Sequence, residues 1–181
     1  MAISTINLPA PVGTSKTQSG SFTTDAAGDL VVALTATAAV NAPTLSIATT
    51  AGFLGGDIIT VPGAWFSGGD LNTPVLGVAL QAGGTLTIAN PAIVTGVASG
   101  TLISKWNQLQ VAGQPKHVRV TRRDNGDYYD WVVGMEPDSA NTSIGGTVAL
   151  LAKVMRCQPG AVHFAPGMLA ASQIYDVAIE Y

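Results

Sequence analysis

The apolar runs of this chain are short, and most are stopped by glycine or proline. That punctuation limits what it can fold into. The longest strongly apolar stretch is Leu30–Leu34, far short of the roughly 20 residues a membrane-spanning helix requires. Leu30-Val-Val-Ala-Leu-Thr-Ala-Thr is short, apolar and threonine-containing. Thr44-Leu-Ser-Ile-Ala alternates, with Leu45 and Ile47 on one face and Thr44 and Ser46 on the other. Asp57-Ile-Ile-Thr-Val follows Gly55-Gly56 and stops at Pro62-Gly63. Period-two alternation bounded by turn residues predicts strands. The expected fold class is therefore all-β, an antiparallel sandwich or jelly-roll-like barrel with little helix.

Thr-Leu-(Ser/Thr)-Ile-Ala occurs twice, at Thr44 and again at Thr85 after Gly83-Gly84. Either a β unit is duplicated, or alternating threonine/aliphatic strands simply look alike. Residues 62–74 hold three glycines with Trp65 and Phe66, which reads as a loop carrying two aromatic candidates for a protein contact. The first twenty residues, with Pro9, Pro11, Gly13 and Gly20 among serine and threonine, show no periodicity and read as an extended arm.

The sharpest local pattern is Val118 to Val133. Asn125-Gly126 favours a type I′ turn, in which both central residues take positive φ. A hairpin centred there pairs Arg123 with Tyr128, Arg122 with Tyr129, Thr121 with Asp130, Val120 with Trp131 and Val118 with Val133. One face then carries Val118, Val120, Trp131 and Val133; the other carries Arg119, Thr121, Arg123, Tyr128 and Asp130. Thr147–Cys157 fits either a helix face or a buried strand after Gly145-Gly146, and the β context favours strand. Ile174–Tyr181 alternates, with Tyr175, Val177, Ile179 and Tyr181 on its buried face.

Charge is scarce and uneven. Only 10% of the 181 residues are charged, against about 25% in ordinary soluble domains. Residues 1–104 hold five charged side chains and residues 105–181 the other fourteen. The expected organisation is an arm over 1–22, a charge-poor β region over 23–104, and a β region over 105–181 containing the 118–133 hairpin. The last two are also compatible with one sandwich. With eight basic and eleven acidic residues, no overall attraction to nucleic acid is expected. Met1–Pro11 has no basic region leading into an apolar run, so synthesis in a cytoplasm is expected.

Reactive groups are few and scattered. His117 and His163 have no metal-ligand partner at two, three or four residues' spacing, and each reads as structural. The single Cys157 follows an apolar run and reads as core. Asp124-Asn125-Gly126-Asp127 lacks the residue order of a calcium loop, and turn chemistry accounts for it. No phosphate-binding glycine loop or nucleophile elbow is present. No cofactor, metal or catalytic residue is expected. Lys116, Arg119, Arg122 and Arg123, interleaved with Tyr128 and Tyr129 and offset by Asp124, Asp127 and Asp130, read as a cross-strand lattice that would also suit a protein-binding rim.

Thr44-Leu-Ser-Ile-Ala-Thr-Thr-Ala-Gly-Phe-Leu-Gly-Gly-Asp-Ile-Ile-Thr-Val61 resembles the strand, T-A-G-F-x-x-G-D, strand units of tailed-bacteriophage head and tail proteins. In size, composition and arm the chain is most similar to capsid decoration (cement) proteins. The resemblance implies a non-enzymatic virion protein on the capsid exterior, often trimeric, that locks neighbouring major capsid subunits together. Interface candidates are Ile3, Ile6, Leu8 and Val12 in the arm, Trp65 and Phe66 in the loop, and Arg119, Arg123 and Tyr128 on the hairpin. Two alternatives stay open. One is a tail or fibre component binding a receptor or glycan through Trp65, Trp106, Trp131 or the tyrosines. The other is a virion-associated enzyme of unrecognised type.

Overall fold

The structure, a computed structural model, describes residues 3–9, 16–27, 29–79, 84–90, 96–135, 140–151 and 154–181. In chain order the strands are β1 (Ile3–Asn7), β2 (Thr17–Thr24), β3 (Val31–Ala33), β4 (Thr44–Ser46), β5 (Ile58–Val61), β6 (Leu71–Ala79), β7 (Thr85–Ile88) and β8 (Leu102–Lys105). They continue with β9 (Asn107–Gln110), β10 (His117–Arg122), β11 (Tyr128–Val132), β12 (Ala140–Ile144), β13 (Thr147–Leu151), β14 (Met155–Gln158), β15 (Ala161–Phe164) and β16 (Ile174–Glu180). Among the described residues the one helical element is the 3-10 turn Phe66–Gly68. The fold is all-β and antiparallel. The chain divides into two compact units, one of residues 1–28 with 107–181 and the other of residues 29–106.

The discontinuous unit is a sandwich. Its larger sheet has the order β1-β2-β16-β10-β11-β12-β13, and its smaller sheet β14-β15-β9. Alternation along β16 buries Tyr175, Val177 and Ile179. Val118, Val120, Tyr129 and Trp131 come in from the hairpin, and Leu109, Val162 and Phe164 from the smaller sheet. Phe22 of β2 stacks on Tyr175 with ring centroids 5.4 Å apart, and lies 5.8 Å from Phe164.

Residues 1–22, read as an extended arm, include β1 and most of β2. The alternation in Thr17–Thr24 is carried by Gln18, Phe22 and Thr24 inward against small polar residues outward. With so few large apolar residues, a hydropathy pattern cannot reveal it. Ile3 and Leu8 are half-buried against this unit's own core, and Ile6 is exposed. Val12 lies outside the described residues.

The hairpin keeps its faces but shifts by two residues. Val118 pairs with Trp131, Val120 with Tyr129 and Thr121 with Tyr128. Gly126 has positive φ but Asn125 does not, so the connection is not type I′. Instead the amide of Arg122 donates to Asp127 O at 2.7 Å, and that of Gly126 to Arg122 O at 2.9 Å. A two-residue slip preserves side-chain parity, which is why the apolar face survives; Val133, by contrast, leaves the strand and is exposed. The stretch 147–157 is strand, but in two pieces, β13 and β14. Thr147, Val148 and Ala149 are exposed rather than buried.

The continuous unit holds a six-stranded sheet, β3-β8-β5-β6-β7-β4. Its first and last strands meet: Thr35 N–H donates to Ser46 O at 2.9 Å and Ala48 N–H to Ala33 O at 3.0 Å. The sheet thereby curls shut around Leu45, Ile47, Ile59, Val61, Leu86 and Ile103, all fully buried. The two Thr-Leu-x-Ile-Ala copies are neighbours here. Leu45 pairs with Leu86 and Thr44 with Thr87 in antiparallel register. Similar strands that pair with one another present matching apolar faces to one core. Leu71–Pro74, read as part of a loop, opens β6.

Candidate binding surfaces

The outward face of the seven-stranded sheet gathers the polar hairpin candidates. The alternation that buries Val118 and Val120 turns His117, Arg119 and Thr121 outward, beside Asp176 and Ala178 of β16. The Arg119 guanidinium carbon sits 4.0 Å from the Tyr128 ring centroid, a cation–π contact that holds a long side chain in place. Arg123 pairs with Asp176 through two hydrogen bonds, Nε to Oδ2 at 3.2 Å and Nη2 to Oδ1. Those bonds hold the Asp176 carboxyl below the usual range and raise the Arg123 guanidinium. His117 Nε2 lies 2.8 Å from Asp130 Oδ1.

The acids of the hairpin are therefore committed to separate partners. Asp124 accepts from Arg122 at 2.7 Å, and Asp127 accepts from Asn125 Nδ2 at 2.7 Å and from the Gly145 amide at 2.8 Å. Arg119, held instead over the Tyr128 ring, has no carboxylate partner among the described residues. It lines a shallow open groove of about 530 Å3 with Asn7, Ser19, Ser21, Thr121 and the Arg123–Asp176 ion pair. Its hydroxyls, the Asn7 amide and the stacked Arg119 offer hydrogen-bond donors to a partner's oxygens, beside a cation and a carboxylate that already satisfy each other.

The continuous unit presents a different surface. It contains only four charged residues, Asp29, Asp57, Asp70 and Lys105. Asp57 is buried, bound to Lys105 Nζ at 2.7 Å and accepting from the Leu54 amide at 2.6 Å. Lys105 also donates to Gly52 O at 2.7 Å, so this pair fastens the 52–57 loop. Outside, Val31, Val40, Leu54, Leu76 and Leu102 are exposed. Ala33 pairs with Leu102 and Val31 with Ser104, so Val31, Ala33 and Leu102 share one outward face. The β6–β7 register shifts between Val75 and Gly77. Alternation along β6 already points Leu76 outward, and the bulge leaves it without a β7 partner, 64% exposed.

The aromatic candidates are placed otherwise than a platform requires. Trp106 is buried, donating from Nε1 to Thr60 Oγ1 at 2.8 Å, and Trp131 is buried in the sandwich. Trp65 is half-buried against the barrel core, and Phe66 begins the 3-10 turn. Tyr129 and Tyr175 are likewise core residues whose hydroxyls bond Met168 O and the Ala170 amide, respectively. Indole and phenol rings satisfied internally serve packing. Cys157 is half-buried, and desolvation pushes its thiol well above the ordinary range, which suppresses the nucleophilic thiolate. His163 is buried on β15. Among the described residues no three of His, Cys, Asp and Glu converge as a metal site, and no helix is long and apolar enough to cross a membrane.

Comparison with protein-family models, with curated proteins and with solved structures returned no match.

Proposed function

We propose that the protein is a non-enzymatic virion structural protein that binds and stabilises a phage capsid lattice as a decoration protein, with the major capsid protein and further copies of itself as partners. The observation that carries this reading is the exterior of the 29–106 unit, where Val31, Leu54, Leu76 and Leu102 are exposed on a unit with four charged residues. Apolar side chains amid so little charge favour coverage by another protein surface. Arg119 stacked on Tyr128 supplies a second, polar contact of a kind enriched in interfaces.

Particles lacking the protein, mixed with purified wild type and then sedimented, test the proposal. Leu102→Lys and Leu76→Lys alter side chains that already face solvent, so folding is preserved. An interface anchor costs about 2 kcal/mol on removal, roughly thirtyfold in affinity. Occupancy unchanged in both variants would sink the reading.

A tail or fibre component that binds glycans is the second reading, and the Ser19, Ser21, Thr121 and Arg119 groove is what favours it. In that case binding to immobilised saccharides is lost with Arg119→Ala, while capsid occupancy stays at background.

A further inference from the structure

The two sheets that could expose long edges are finished in different ways. The barrel joins its first and last strands by hydrogen bonds from Thr35 and Ala48. The seven-stranded sheet ends on β1 and on β13. The β1–β2 register is irregular between Ile3 and Thr5, a distortion of the kind that blunts an edge against pairing. Among the described residues β13 has no such device: its register with β12 is unbroken from Ala140↔Leu151 to Ile144↔Thr147. No charged residue occurs from Ser139 to Ala152, and no proline interrupts that run. Val148 is 64% exposed. A regular, uncharged, open strand is a template for another strand.

The turn fixes which backbone groups are on offer. Gly145 and Gly146 have φ of 58° and 81°, the left-handed conformation that a two-residue type I′ turn needs at both positions. In such a hairpin Ile144 and Thr147 form a hydrogen-bonded pair, and bonded pairs alternate along the ladder. Thr147, Ala149 and Leu151 therefore direct their N–H and C=O toward β12. Val148 and Leu150 direct theirs outward, to the open edge.

We propose that β13 pairs antiparallel with β13 of a second copy of this chain about a two-fold axis at Ala149. In that register Val148 faces Leu150 of the other copy, and the reverse, forming two hydrogen-bonded pairs. Ala149 faces its own symmetry mate at the non-hydrogen-bonded position, where backbones approach closest and a small side chain suits. One strand supplies both halves of the contact, as an isologous interface requires. With no charge in the run, no like charges are brought together. The seven-stranded sheet becomes continuous across the two copies. This inference is independent of the capsid reading.

Solution mass across a concentration series, combined with amide hydrogen exchange on the full chain, tests it. Wild type is expected to move from one chain to two as concentration rises, with slowed exchange at Val148 and Leu150 in the two-chain species. Val148→Lys places a charge on the contact, and Val148→Pro removes an outward donor while leaving the β12–β13 ladder its own bonds. Both should halve the mass to one chain, with wild-type circular dichroism and the melting temperature that wild type shows at the dilution where it is a single chain. A single-chain mass for wild type at every concentration overturns the proposal. So does a mass of two or three chains that both variants retain, or fast exchange at Val148 and Leu150 within the assembly.

Discussion

Gly20 shows how little room the first strands leave. A Cβ placed on it would meet Asn7 O at 2.0 Å and Leu8 Cα at 2.9 Å, both backbone atoms. Nearby, the Gln18 amide donates to Pro9 O at 2.8 Å, so the chain leaving β1 passes directly over β2. Gly20→Ala must push Asn7 and Leu8 away. Overpacking costs about 1–3 kcal/mol, and for a chain of this size each kcal/mol lowers Tm by about 2–4 °C. Gly77 is the control, since a Cβ there lies 3.9 Å from Thr87 Cβ and meets ordinary contact. Thermal melts should show Gly20→Ala clearly destabilised and Gly77→Ala near wild type. Equal melts would mean that β1 is not held over Gly20. None of this was legible in the sequence, where Gly20 is one glycine among serines and threonines: a close backbone approach depends on a partner thirteen residues away, and residue type does not encode it.

At the scale of elements, periodicity identified what is strongly apolar and missed what is not. β16 and the inward face of the 118–133 hairpin were readable because large side chains alternate with polar ones. The turns were harder. Asn125-Gly126 has the residue preference of a type I′ turn, yet the type I′ glycine pair is Gly145-Gly146. Tertiary bonding accounts for the difference: Asp127 accepts from Asn125 Nδ2 and from the Gly145 amide, tying the longer connection of one hairpin to the tip of the next. Asp127→Ala should therefore loosen both tips. A hydrogen bond to a charged group is worth about 1.5–3 kcal/mol, and these are exposed, so a loss near the lower end is expected. Urea unfolding should give a lower midpoint with unchanged slope. A midpoint equal to wild type would show that the tips are held without this side chain.

For the whole molecule, the change in charge density near Ser104–Lys105 lies close to the division at Trp106/Asn107, but composition could not reveal that residues 1–28 belong with 107–181. Their association depends on β2 pairing with β16 from Thr17↔Glu180 to Thr23↔Ile174, a contact between sequence-distant strands that no local pattern announces. The same pairing means that deleting residues 2–20 would strip half of β2 from β16, so it would remove sheet as well as any interface residues. The 29–106 unit is, in sequence, an insertion whose ends meet: the amide of Lys105 donates to Leu30 O at 2.9 Å. It has its own closed sheet, its own core and the buried Asp57–Lys105 pair. A segment whose ends adjoin and whose apolar residues face one another can fold alone. Residues 29–106 expressed separately should thus give a dispersed amide NMR spectrum and a cooperative melt. Within that fragment, Lys105→Met leaves the Asp57 carboxylate buried without its ammonium and should cost about 3–5 kcal/mol, enough to lower or abolish the transition. A disordered wild-type fragment would instead mean that the barrel needs the sandwich in order to fold.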